Sequence, residues 1–132
     1  MGAWDNGNFG NDDAMDFVAD VLSKANVVNA IVTVSNTPIN EYIDSADCCN
    51  ALAAIEYIAT ALGNTAKDFP EEALEWVSEN KLLLLQDEKL ILNAHLALEK
   101  IKTNSELKEL WEESEEFEDW LNIVEGLKKR IS

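Results

Sequence analysis

Apolar residues recur at steps of three and four along most of this chain, and that spacing predicts helices. Ala14, Phe17, Val18, Val21, Leu22 and Ala25 fall on one face, with Asp13, Asp16, Asp20 and Lys24 mostly opposite. Asn11-Asp12-Asp13 supplies a capping side chain and two acids for the N-terminus of this first helix.

The run Val27 to Val34 is rich in β-branched residues and by propensity alone would be a strand. No second run in the chain has strand character. A lone strand would leave its backbone polar groups unpaired, so the segment reads as a short buried helix. Pro38, after Ser35-Asn36-Thr37, marks a turn.

From Ser45 to Leu62 nearly every side is small or apolar, as expected of a central helix surrounded by others. Gly63-Asn64 ends it, and Asp68-Phe69-Pro70-Glu71 opens the next, with Leu74, Trp76 and Val77 as its expected buried side. Leu82 to Leu85 reads as a brief apolar linker. Asp87-Glu88 then begins a helix whose stripe is Ile91, Ala94, His95, Leu98 and Ile101.

Thr103-Asn104-Ser105-Glu106 has capping-box spacing and starts a helix that carries Leu107, Leu110 and Trp111 inward. Ser114 is the expected cap of the last helix, where Phe117, Trp120, Leu121, Val124, Leu127 and Ile131 share a face and Lys128-Lys129-Arg130 meets the C-terminal dipole. The expectation is therefore an all-α fold: a single domain over 1–132, folded as an irregular bundle of six to seven helices around the central apolar helix Ser45 to Leu62.

Composition narrows what such a bundle can do. With 26 acidic against 10 basic residues the formal charge is −16, which repels phosphate backbones and anionic lipid and attracts basic surfaces. Nucleic acid and membrane are thus poor partners, although excess acid also serves solubility alone. The start MGAWDNGNF lacks a basic n-region and an apolar h-region, and the apolar stretch Cys48 to Leu62 is broken by Asn50, Glu56 and Thr60. Adjacent Cys48 and Cys49 make no disulfide framework, so a reducing, cytoplasmic setting is expected.

The residues offer little catalytic chemistry. His95 is the only histidine; a structural role, paired with Glu99 or capped by the backbone, is preferred. No H-E-x-x-H, C-x-x-C, EF-hand, Walker, Rossmann or G-x-S-x-G pattern occurs, so no metal, no cofactor and no enzymatic activity are expected. Cys48 and Cys49 have no basic neighbour in sequence and read as packing residues. Glu56 is the one charge in the apolar stretch Cys48 to Leu62, and burying it unpaired would cost several kcal/mol. It should reach the surface or meet a lysine; a carboxylate-pair enzyme built around it is the competing possibility.

The densest charge is Glu112, Glu113, Glu115, Glu116, Glu118 and Asp119, six acids within eight residues around Phe117. Some of these merely complement a helix N-terminus or solvate a face. As a group they form a candidate partner-binding knob for a basic cleft.

The opening Met1-Gly2-Ala3-Trp4-Asp5-Asn6-Gly7-Asn8-Phe9, followed by Asn11-Asp12-Asp13-Ala14, resembles the M-G-x-W-G-x-G-x-F and N-D-D-A start of a bacterial family known as domain of unknown function 4259. Asp5 stands where that family usually has glycine. Ser105-Glu106-Leu107-Lys108-Glu109-Leu110-Trp111-Glu112-Glu113-Ser114 and the later Trp120-Leu121 are similar to its S-E-L-x-E-L-W-E-E-S and W-L. Similar small acidic proteins are encoded beside secreted toxins, so the resemblance implies an immunity or inhibitor protein that neutralises a cognate toxin domain, with a basic toxin such as a nuclease as the expected target. The alternative is an acidic adaptor or nucleic-acid mimic on a housekeeping basic protein. Trp4, Phe9, Trp111 and Trp120 are expected to pin the lead segment to the last helices.

Overall fold

The computed structural model describes residues 7–38 and 40–132. Among these it is all-helical: α1 (Asp12–Asp20), α2 (Lys24–Ser35), α3 (Ser45–Ala61), α4 (Glu71–Leu85), α5 (Glu88–Thr103), α6 (Glu106–Glu112) and α7 (Phe117–Arg130). The only strand-like pairing among the described residues is an isolated bridge between Ile43 and Ser105.

The central helix is where the small-residue pattern puts it. Asp44 caps α3 by accepting from the Asp47 amide at 2.8 Å. Cys48, Ala51, Ala53, Ala54, Ile55, Ile58 and Ala59 are fully buried there, because α3 packs against every other helix. Its end is a left-handed glycine: Gly63 has φ 92°, the Asn64 amide reaches back to the Ala59 carbonyl at 2.8 Å and the Gly63 amide to Thr60 at 3.0 Å. That reciprocal pair satisfies carbonyls the helix would otherwise orphan, and a β-carbon at position 63 would strain the turn.

The β-branched run is helical, as its lack of a partner strand demands. Val27, Ile31 and Val34 lie one turn apart with no exposed surface, facing α3 and α5. Intrinsic strand preference, worth a few tenths of a kcal/mol per residue, is small beside burial of three such side chains at about 1.5–3 kcal/mol each.

Three expectations about helix limits and faces are corrected. The first helix stops at Asp20, because the Asn26 side chain accepts from the Leu22 and Ser23 amides at 2.9 and 3.0 Å and opens α2 instead. Leu22 is consequently 86% exposed, and Ala25 is exposed too. Leu82 to Leu85 is no linker but the last turn of α4, whose inward positions are Ala73, Val77 and Leu84; Leu74, Leu82 and Leu83 point outward. In α5 the buried stripe is Leu90, Ala94, Ala97, Leu98 and Ile101, while Ile91 and His95 sit at its margin.

The lead segment is pinned by rings, but to other elements than the last helices. Phe9 packs edge-on to Phe69 at 5.4 Å, and Tyr57 gathers Phe69, Phe17 and Trp76 at 5.5, 5.7 and 5.6 Å. Trp111 and Trp120 are buried in the core, the latter 6.0 Å from Phe117. Trp4 lies outside the described residues. The joint between α5 and α6 is held by the loop before α3: the Glu106 amide donates to the Ile43 carbonyl at 2.8 Å, and the Glu106 carboxylate accepts from the Ser45 amide at 2.8 Å. Ser105, accepting from Lys108 N at 3.1 Å, is the cap of α6, so Glu106 serves α3 rather than a local capping box.

Candidate functional site

Glu56 neither reaches the surface nor meets a lysine. It lies halfway along α3 with 1% of its surface exposed, and the guanidinium of Arg130, from the last turn of α7, grips both its oxygens. Nη1 donates to Oε1 at 2.7 Å and Nη2 to Oε2 at 2.8 Å. This is the two-pronged geometry that only arginine supplies.

Asn8 adds a third donor, Nδ2 to Oε2 at 2.7 Å, and leaves its own Oδ1 buried without a partner. The unmet acceptor costs about 1–3 kcal/mol, which a further donor to a buried carboxylate can offset. Arg130 and Asn64 then exchange bonds: Nη1 donates to the Asn64 carbonyl at 3.0 Å, and Asn64 Nδ2 to the Arg130 carbonyl at 2.9 Å. The lead segment, the centre of α3, the α3–α4 loop and the end of α7 are thus joined at one carboxylate.

Beside this junction opens a cleft of about 500 Å³, lined by Asn8, Glu56, Thr65, Lys67, Asp68 and Arg130 among others. Asp68 adds a second carboxylate to the lining of this cleft. Both Glu56 oxygens are committed to fixed donors, whereas a general base needs an oxygen able to take a proton from substrate. Sequence reasoning singled out Glu56 but missed Arg130 and Asn8. The available signal was composition: Arg130 is the chain's single arginine, and a lone arginine among nine lysines is the natural partner for a lone buried acid.

The acidic segment takes a defined shape. α6 ends at Glu112, and Ser114 closes the turn: its hydroxyl donates to the Trp111 carbonyl at 2.8 Å and accepts from the Glu116 amide at 3.1 Å. Ser114 therefore organises the joint, whereas the N-cap of α7 is Glu116. Glu112, Glu113, Glu115, Glu116, Glu118 and Asp119 are all exposed, around a half-buried Phe117. Glu112 pairs with Lys108 at 3.3 Å, and Glu118 and Asp119 sit in the first turn of α7, where the dipole favours them.

The other sequence candidates are His95, Cys48 and Cys49. His95 is half-buried, and its expected partner Glu99 instead receives Lys128 at 3.0 Å and Lys102 at 3.1 Å, which hold the Glu99 carboxyl below its usual range. Cys48 and Cys49 are free and buried, and burial pushes both thiols up to about 12. Among the described residues no group of His, Cys, Asp and Glu could hold a metal ion, and no helix is long and apolar enough to cross a membrane.

No curated protein and no solved structure matches the chain. A family described as "Domain of unknown function (DUF4259)" matches residues 2–122, nearly its whole length, and the chain belongs to that family.

Proposed function

We propose that this protein works by covering a basic protein surface with the acidic joint between α6 and α7, and that the covered protein is the toxic domain of a cognate bacterial effector. The observation that carries the reading is the exposure of all six acids of one eight-residue segment, held on a turn fixed by Ser114 and anchored by buried Trp111 and Trp120. A preordered anionic knob steers encounter and excludes phosphate from the surface it occupies. If the toxin grips RNA or DNA, its substrate cleft supplies the complementary charge. The immunity role rests on the company kept by similar small acidic proteins; the alternative is an adaptor on a housekeeping basic protein.

The test neutralises four acids that make no ion pair among the described residues: Glu113→Gln, Glu115→Gln, Glu118→Gln and Asp119→Asn together. Against the product of an adjacent toxin gene, this variant is expected to bind on the order of 30-fold more weakly. The loss should fall mainly on the association rate, with a shallower salt dependence and lost growth rescue at nearly unchanged melting temperature. Absence of binding and rescue by the wild-type chain would end the toxin reading. Capture of the same basic partner from cells without a toxin gene would favour the adaptor.

A further inference from the structure

The strongly negative charge of the chain is unevenly spread. α5 carries Lys89, Lys100 and Lys102 against Glu88 and Glu99, and its neighbour α2 carries Lys24 as its only charge. This near-neutral face also holds apolar surface that the core does not use: Leu92 is 60% exposed and Leu96 47%. Beside them a hollow of about 180 Å³ opens between α2 and α5, lined by Val28, Val32, Asp87, Lys89, Leu90 and Asn93. An acidic chain that meets another copy of itself does so at least electrostatic cost on such a face.

The order of residues along the outward stripe of α5 is self-complementary. Lys89, Leu92, Leu96 and Glu99 are all exposed and follow one another at steps of three, four and three, the spacing of a helix-pairing seam. Let two copies of α5 run antiparallel about a two-fold axis at the level of Ala94. Leu92 then faces Leu96 of the other copy, and Lys89 faces Glu99 of the other copy, twice over by symmetry. A parallel arrangement would set lysine on lysine and glutamate on glutamate.

The two groups that would meet are placed to do so. Lys89 makes no ion pair among the described residues, and both pairs of Glu99 run to its Oε1. We propose that the protein forms an antiparallel homodimer through the outer face of α5, with Leu92 and Leu96 at its centre and Lys89–Glu99 pairs at its edges. The two leucines bury far less than the roughly 800 Å² per partner of a stable standard interface, and Val28 and Val32 of α2 extend the patch, so the dimer is a weak one.

Sedimentation velocity of the full chain across a wide concentration range tests this. A reversible monomer–dimer equilibrium is expected, and Leu92→Asp should weaken it at least about 30-fold, as for a central contact. Lys89→Glu and Glu99→Lys should each dissociate the dimer when alone, and an equimolar mixture of the two should associate again, because each chain then restores the charge its partner lacks. Wild-type chain that stays monomeric throughout, or a dimer indifferent to Leu92→Asp, would overturn the proposal. Glu99→Lys also removes two intramolecular pairs; should it fail to fold, Lys89→Glu and Leu92→Asp, both at exposed positions, decide the matter. The measurement needs no toxin, so its outcome is independent of the partner reading above.

Discussion

Replacing Arg130 by methionine is expected to destabilise the fold by about 3 kcal/mol. The change leaves Glu56 on α3 with 1% of its surface exposed and, among the described residues, only Asn8 as a donor. Removal of one member of a buried pair typically costs about 3–5 kcal/mol, and the lower figure applies because the Arg130 side chain keeps 27% of its surface in solvent. For a chain of this size the loss corresponds to a fall in melting temperature on the order of 10 °C.

The double substitution Arg130→Met with Glu56→Leu should recover much of that loss, since no unpaired charge then remains inside. Arg130→Lys should recover less, because an ammonium cannot reach both carboxylate oxygens at once. Urea melts of the four proteins supply the comparison. An Arg130→Met variant within about 0.5 kcal/mol of wild type would mean that the pair contributes nothing net.

A comparable loss, about 3–5 kcal/mol, is expected for Trp120→Ala. Trp120 is 2% exposed and is the largest of the fully buried side chains, set in the first turn of α7 directly after the acids of the joint. Its removal empties a large volume that neighbouring helices cannot refill. It also frees the segment that presents Glu118 and Asp119. Trp120→Phe should cost appreciably less, since most of the ring volume and the contact with Phe117 are kept. A Trp120→Ala protein that melts within a few degrees of wild type would show that the last helix is anchored elsewhere.

Much of the architecture is legible in the residues, for reasons that differ from helix to helix. α3 is readable because a helix enclosed on all sides can carry almost no charge, and seventeen residues from Ser45 to Ala61 hold only two acids. α2 is readable only by elimination, through the lack of any partner for a strand. The misread boundary at Asp20 turned on Asn26, whose side chain claims two amides from the following helix; periodicity alone runs straight through such a break. The leucines of α4 misled differently: four in a row look like a buried connector, yet at 100° per residue they face several ways at once, and only Leu84 is fully enclosed.

The junction at Glu56 was half visible. An acid alone in the apolar stretch after Cys48 announces a partner, but Arg130 is 74 residues away and Asn8 is 48, and no local pattern links them. The acidic joint was visible as a charge run, whereas its shape depends on Ser114 bridging the Trp111 carbonyl and the Glu116 amide, a role different from the cap its sequence context suggests.

Cys48 and Cys49 sit in the second turn of the helix that every other helix covers, with thiols too shielded to ionise near neutral pH. The molecule thereby carries a silent reporter. Alkylating reagents reach these sulfurs only through excursions that lift neighbouring helices away, so the pace of native thiol capture gauges how often the bundle breathes. A fluorophore attached through a cysteine engineered on the outside would meet no competition from within, and both native residues can stay in place.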